Sequence, residues 1–424
     1  MGYRNKLIMA QNYSGYSIIS PGVSIKDSAN LDSFSRLRIS NPLTLFSAQL
    51  TYDLQPLLYE QITNGTGATI AHDTTNRDAL LTFASTPTGG KAYMQSYEYL
   101  PYQPGKSQLI FVTFNMITSV ANVLKFAGYS DGVNGIEFQN DGSVNQFIIY
   151  SGTSIGNETV TQASWNLDKL NGTGASGLTL DVTKTQILVI DLQALYVGRV
   201  RVGFDIGGQI IYCHEFNHSN LIAYPYIQTA NLPVRCGMTC TATVSTTMQF
   251  ICCAVISEGG VEDTDRFGYT FVQGAATTAV DAVRTHMISL RPKTTFKGFT
   301  NRTRVSYIDV EIFVTGVKPV YWELVIGQAI SGTTTYNDVN TNYSSVEYNS
   351  LGTASGSPTI IIDSGWVPAS GASPGLINNV VVSRYPMTLD AAGVNRALGT
   401  LTLLVQGVGG SSACNGSIKF KELR

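Results

Sequence analysis

Wherever a hydrophobic pattern can be read in this chain it has period two, the side-chain alternation of a strand with one buried face. In Gln108-Leu109-Ile110-Phe111-Val112-Thr113-Phe114-Asn115-Met116, the residues Ile110, Val112, Phe114 and Met116 fall on one face and the opposite face is mixed. Val200-Arg201-Val202-Gly203-Phe204-Asp205-Ile206 alternates cleanly, Gly207-Gly208 supplies the positive φ angles of a tight hairpin, and Gln209-Ile210-Ile211-Tyr212-Cys213-His214-Glu215-Phe216 returns. A strand over 305–314 is expected to bury Ile308, Val310, Ile312 and Val314 and to turn Asp309 and Glu311 outward. Helical potential is confined to residues 41–60, where Thr51, Tyr52 and Pro56 weaken it to an extended or short helical piece.

Turn signals recur at Asn64-Gly65, Asp131-Gly132, Asn134-Gly135, Asp141-Gly142, Asn171-Gly172, Gly207-Gly208, Gly409-Gly410 and Asn415-Gly416. Short strands at this turn density predict an all-β chain of sandwiches or barrels. Residues 1–45 are polar, serine-rich and poor in strand pattern, with a basic cluster at Arg36-Leu37-Arg38, and read as an extended N-terminal arm that orders on a neighbour. Residues 46–260 carry strand after strand and end in the apolar run 248–256, followed by a break at Ser257-Glu258-Gly259-Gly260 and the charged 262–266. Residues 261–424 predict a second β domain with strands at 305–314, 322–326, 359–363 and 401–405, and with Ser/Thr/Asn/Gly stretches at 331–358 and 368–376 expected as displayed loops.

Composition sharpens this picture. Charged residues are 13% of the chain, roughly half the usual share of about 25%, a surface suited to wide, permanent contacts. The net charge of -2 offers no field for nucleic acid or anionic lipid. No apolar run approaches the roughly 20 residues of a membrane-spanning helix, and Met1-Gly2-Tyr3-Arg4-Asn5-Lys6 lacks the apolar core of a secretion signal, so a soluble product is expected. Lys6 stands where a myristoylation start needs Ser or Thr. Six cysteines, with Cys252 and Cys253 adjacent and Cys414 distant, make no disulfide framework and are expected as reduced, buried thiols.

The residues that could carry chemistry are few. Among four histidines, His214 and His218 lie near Cys213, but adjacent strand residues point to opposite faces, so no zinc site is expected. Cys236-Gly237-Met238-Thr239-Cys240 has the wrong spacing for a zinc knuckle or redox pair. Gly152-Thr153-Ser154-Ile155-Gly156 and Gly371-Ala372-Ser373-Pro374-Gly375 match a nucleophile elbow but open no helix. Glu60, Glu137, Asp309 and Glu311 are acids on expected strands, and paired carboxylates could serve glycoside hydrolysis; a solvated face explains Asp309 and Glu311 more simply. Asp131-Gly132-Val133-Asn134 and Asn140-Asp141-Gly142 could offer oxygens to calcium, though turn chemistry accounts for them without an ion. Tyrosine dominates the aromatics, and Tyr93, Tyr97, Tyr99 and Tyr102 form the densest patch. If these lie on a strand the first three share a face; Tyr97, Tyr99 and Tyr102 are the candidate ligand or partner contacts, against cross-strand stacking.

Several phrases resemble the virion structural proteins of tailed bacteriophages and related large DNA viruses. They are Ser35-Arg36-Leu37-Arg38-Ile39-Ser40-Asn41-Pro42, Tyr102-Gln103-Pro104-Gly105-Lys106-Ser107, residues 165–177, Val197-Gly198-Arg199-Val200-Arg201-Val202-Gly203-Phe204, Ile288-Ser289-Leu290-Arg291-Pro292-Lys293 and Trp322-Glu323-Leu324-Val325. The resemblance spans most of the chain and leaves head fibre, decoration, tail and receptor-binding roles open. It implies a first domain of the concanavalin-like jelly-roll sort and brings no catalytic residues, metal or cofactor with it. The expectation is thus an all-β protein of two β-sandwich, jelly-roll-like domains behind an arm, made in the host cytoplasm and built into the virion. Major capsid or tail proteins would be its partners, as a homo-oligomer with a trimer favoured, and Arg36 and Arg38 would anchor the arm. It is not expected to be an enzyme or to bind nucleic acid or membrane. A receptor module for host surface glycans is the alternative, and a polysaccharide-cleaving enzyme the third reading.

Overall fold

The computed structural model describes residues 16–19, 22–25, 30–260, 266–272, 276–370 and 386–423. Within them the chain is all-β, and helical geometry is limited to short turns such as Gln162–Ser164 and Ala397–Gly399. The expected helical alternative over 41–60 gives way to a strand, Leu43–Gln49, paired with Val244–Ser257. Residues 43–45 of the expected arm therefore already belong to a sheet. Residues 1–15, 26–29, 261–265 and 371–385, which hold nearly half of that arm, most of the charged break and much of the 368–376 loop, lie outside the described residues.

The first sandwich faces a seven-stranded sheet against an eight-stranded one. In the first, the order is Glu158–Thr161, Asn145–Tyr150, Gly135–Asn140, Val123–Ser130, Val234–Cys240, Lys91–Ser96 and Tyr59–Asn64. The second runs Gln209–Phe216, Val200–Ile206, Gln186–Leu192, Gln108–Asn115, Val244–Ser257, Asp78–Thr86 and Ala68–Asp73, with Leu43–Gln49 also on Val244–Ser257. The chain passes from one sheet to the other repeatedly, in the manner of a jelly roll. Ile110, Val112, Phe114 and Met116 are fully buried between the sheets, as their alternation requires. Phe138 packs edge-on against Phe204 at 5.1 Å and lies 5.5 Å from Phe147, which in turn meets Trp165 at 4.7 Å. The Gly207-Gly208 hairpin forms with both φ angles positive, 64° and 81°.

A second, separate core is built on residues 279–420. Ser412–Leu423 pairs with Arg266–Val272, Thr277–Ala279 and Arg304–Val314, and packs on a six-stranded sheet of Asn337–Asp338, Val346–Asn349, Thr285–Pro292, Leu401–Gly407, Val320–Ile326 and Ile360–Val367. Two sequence expectations change here. A bulge between Tyr307 and Asp309 shifts the register, so Val305 and Tyr307 enter the core and Ile308 stays half-buried. The stretch 331–358 is not a bare loop but carries short strands at Val346–Asn349 and Gly352–Ser355. Buried Glu422 pins it, its carboxylate accepting hydrogen bonds from the Ser344 hydroxyl at 2.6 Å and from both the amide and hydroxyl of Ser345. Serine reads as loop in a sequence, but here it supplies the donors a buried carboxylate needs.

Lys125 is fully buried on the core side of its strand, and its Nζ donates to the carbonyls of Met116 (2.6 Å), Thr118 (2.8 Å) and Thr247 (2.7 Å) and to the Thr246 hydroxyl (3.0 Å). It therefore closes the backbone at one end of the sandwich. Burial pulls its pKa down from 10.5 to about 8. Between those values the unfolded chain holds the proton and the folded one does not, so this lysine's contribution to stability rises with pH across that window. Lys125→Met is expected to cost about 2–4 kcal/mol by stranding buried carbonyls. Urea midpoints at pH 7.5 and 10 should show wild type gaining on the variant at the higher pH; a constant gap would refute the assignment.

Candidate functional site

The seven-stranded sheet turns Val234, Cys236 and Met238 into the core, so Arg235 and Gly237 point to the opposite face, away from the other sheet. Two glycines shape that face. Gly237 lies between Tyr93 and Phe126 in the cross-strand register, and a Cβ there would come 2.1 Å from the Tyr93 Cβ. The two rings close over the gap, 6.0 Å apart, and the Arg235 guanidinium stacks on both, 4.3 Å from Tyr93 and 4.8 Å from Phe126. In the neighbouring row Gly128 separates Glu137 from Arg235, and without a side chain between them the carboxylate and guanidinium approach to 3.7 Å.

Polar groups surround this pair. Gln139 donates to Glu137 Oε2 at 2.9 Å and to the Tyr150 hydroxyl at 2.8 Å, and accepts from Gln146 at 3.0 Å. Burial raises the Glu137 pKa above the ordinary carboxylate value, and Arg235 opposes that shift. Glu137 Oε1 and Arg235 Nε, both buried, have no hydrogen-bond partner. The face thus sets aromatic rings, an amide, a hydroxyl and a buried carboxylate–guanidinium pair side by side. The carboxylate pairs weighed in the sequence do not assemble: Glu60 sits four strands from Glu137 in the same row, about 19 Å away at the backbone spacing of a sheet. Asp309 and Glu311 both turn to Lys419.

The candidate contact tyrosines serve a different surface. The strand Lys91–Ser96 ends before Tyr97, so Tyr93, Tyr97 and Tyr99 do not share a strand face. The segment from Tyr97 to Tyr99 instead meets the second sandwich. Arg396 lies 3.5 Å over the Tyr97 ring, Arg302 lies 4.2 Å over Tyr99, and between them Glu98 pairs with Arg304 at 2.7 Å. Burial raises the Glu98 pKa against the pull of Arg304, and pushes Tyr99 up to about 12. Glu60 joins the seam by accepting the Ala391 amide at 2.7 Å. Tyr102 donates its hydroxyl to the Gln193 carbonyl within the first sandwich.

Arg36 and Arg38 also meet partners within the chain. Asp32 holds Arg36 at 2.7 Å, while Arg36 stays half-exposed over Phe34. Arg38 binds Asp191 at 2.6 Å and also pairs with Glu258. Asp191, fully buried, further accepts from Arg201 at 2.6 Å, Ser107 at 2.7 Å and Tyr212 at 2.9 Å. Residues 31–38 are thereby strapped to the end of the eight-stranded sheet.

The remaining motifs resolve as turns and core. Asp131 and Asp141 each cap their own turn through backbone amides, at 2.7 Å from Asn134 and 2.8 Å from Val144. Cys213 faces the core, while His214 accepts the Asn166 amide and His218 stacks on Tyr226 at 4.1 Å. Cys236 and Cys240 are buried as free thiols. Among the described residues no cluster could hold a metal ion, and no helix is long and apolar enough to cross a membrane. The elbow match at 371–375 lies outside the described residues. Arg235, Asp191, Glu98 and Arg304 were not singled out from sequence; the one available signal was a lone arginine followed two residues later by a mid-strand glycine, in Val234-Arg235-Cys236-Gly237 and Val200-Arg201-Val202-Gly203.

No protein-family model and no curated protein matches the sequence. Similar solved structures include the Bacillus licheniformis beta-glucanase, at 14% identity over 50% of this chain and 96% of that one with a TM-score of 0.31. They also include a glycosyl hydrolase family protein from Mycobacterium fortuitum, at 12% identity over 50% and 99% with a TM-score of 0.34. A third is a pseudo beta-1,3-glucanase of Mycobacterium tuberculosis, at 10% identity over 50% and 98% with a TM-score of 0.34. These likenesses correct one expectation: a chain whose structural neighbours include glycosyl hydrolases is not set aside as a non-enzyme. At such identities and TM-scores they assign this chain no substrate and no reaction.

Glu98→Ala removes the buried acid that meets Arg304 across the seam and is expected to cost about 3–5 kcal/mol. Calorimetry is expected to show one unfolding transition for wild type and two for the variant, the second sandwich melting first; the same profile for both would mean that the seam couples nothing.

Proposed function

We propose that this chain is a structural protein of a virus particle, of the tailed-bacteriophage or related large DNA virus kind, localised to the virion and contacting capsid or tail proteins. The observation that carries this reading is where its charges and its apolar groups sit. Part of the sparse charge is spent inside, in the Asp191, Glu98–Arg304 and Glu137–Arg235 sets, while Ile39, Val317 and Phe299 stand 85%, 81% and 77% exposed. A surface of that kind favours broad, lasting burial against neighbours over life as a free monomer. The sequence resemblance points the same way. Self-association as a homo-oligomer, with a trimer favoured, belongs to the proposal. Particles of the virus that encodes this chain, carrying a C-terminal epitope on it, should bind gold-labelled antibody in electron micrographs; unlabelled particles would reject the reading.

A second reading, recognition of host surface saccharides, is favoured by the Gln139 amide, the Tyr150 hydroxyl and the Glu137–Arg235 pair set beside Tyr93 and Phe126. Polar atoms of this sort, held next to aromatic rings, suit sugar hydroxyls. On a glycan array, Arg235→Ala should lose the signal that wild type gives, with folding unchanged by circular dichroism. Release of reducing ends from polysaccharide by wild type and not by Glu137→Gln would move the reading from binding to cleavage.

A further inference from the structure

The second sandwich carries an aromatic platform that the seam, the strap and the Arg235 face do not use. On Val320–Ile326 the residues Val320, Trp322, Leu324 and Ile326 enter the core, so Tyr321 and Glu323 face outward. The register sets Gln406 beside Tyr321 on one neighbouring strand and Trp366 beside it on the other. Trp366 is 66% exposed on the strand that ends the six-stranded sheet, and its ring lies 4.8 Å from Tyr321 at an interplanar angle of 44°. Glycine at 365 keeps this strand close to the core, since a Cβ there would come 2.8 Å from the Trp322 indole nitrogen. Arg284 binds Glu323, two residues along the strand from Tyr321, through Nε at 2.6 Å and Nη2 at 3.1 Å, which leaves Nη1 for an outside oxygen.

We propose that the row Gln406, Tyr321 and Trp366, backed by Arg284, is a binding site for a stretch of neutral saccharide about two pyranose rings long. The row spans two strand spacings, about 10 Å. Aromatic faces take up the C–H face of a sugar ring at low entropic cost, because Tyr and Trp have only two side-chain torsions to fix. The Gln406 amide and Arg284 Nη1 supply the hydrogen bonds that hydroxyl groups require. An exposed tryptophan on an edge strand otherwise invites aggregation. The site lies outside the first sandwich and does not depend on the Arg235 face binding anything.

The test reads the site directly, because Trp165 and Trp322 are buried and Trp366 alone is exposed among the three tryptophans. The full chain is titrated with cello-, laminari-, xylo- and chito-hexaose while fluorescence and acrylamide quenching are followed. Binding of at least one should shift the emission to the blue and shield it from acrylamide. Trp366→Ala should remove binding measured by calorimetry, and Tyr321→Ala should weaken it about tenfold. No response to any hexaose would overturn the proposal, as would binding that survives Trp366→Ala. So would a fall in sedimentation mass for Trp366→Ala with sugar binding intact, which would assign the platform to a second copy of the chain.

Discussion

A charge withdrawn from water has to be met by an opposite charge or by oriented dipoles, and where a chain has few charges the places they meet become its joints. Charged residues are 13% of this protein, and three of its buried carboxylates each join parts that the sheets alone would leave separate. Asp191 gathers Arg38 from the N-terminal segment, Arg201 and Tyr212 from two strands, and Ser107 from the residue before a third. Glu98 takes Arg304 from the second sandwich, and Glu422 takes Ser344 and Ser345 from a stretch that would otherwise have little to order it. Breaking one such set costs more than its net contribution to stability, because the abandoned partner stays buried. Each joint therefore acts as a constraint on geometry more than as a source of stability.

Glycines set the finer geometry. Gly128 and Gly237 lie in the middle of strands, where the missing side chain weakens the sheet and permits a close approach across it. One gap lets Glu137 reach Arg235, and the other lets Tyr93 and Phe126 close over the guanidinium. A Cβ at either position would separate groups that now touch. The face thus owes its form to two absences as much as to the residues present.

This explains what could be read from the sequence. Alternation gave the strand Gln108–Asn115 with Ile110, Val112 and Phe114 inside, and the Gly207-Gly208 hairpin, because both depend on neighbours along the chain. The bulge at Tyr307 was not legible, since it is set by the partner strand Ser412–Leu423, more than 100 residues away. Tyr97 and Tyr99 stood out by their density, but their occupants, Arg396 and Arg302, come from the other sandwich, and no local pattern links positions so far apart. Arg38 was visible as a cation and its partner Asp191 was not, because an acid on an apolar strand resembles any solvated strand acid until the fold covers it.

The seam has a consequence for recognition. Two domains on a loose linker sample many relative positions, and joint binding through both loses affinity to that freedom. Here Glu98–Arg304, flanked by two arginines stacked on Tyr97 and Tyr99, fixes the second sandwich against the first through contacts that are desolvated and directional. The Arg235 face and the Tyr321–Trp366 row are then held at one separation and one orientation, whatever each contacts. A partner that spans both meets a preorganised surface, and a partner with the wrong spacing is rejected without any clash at either site.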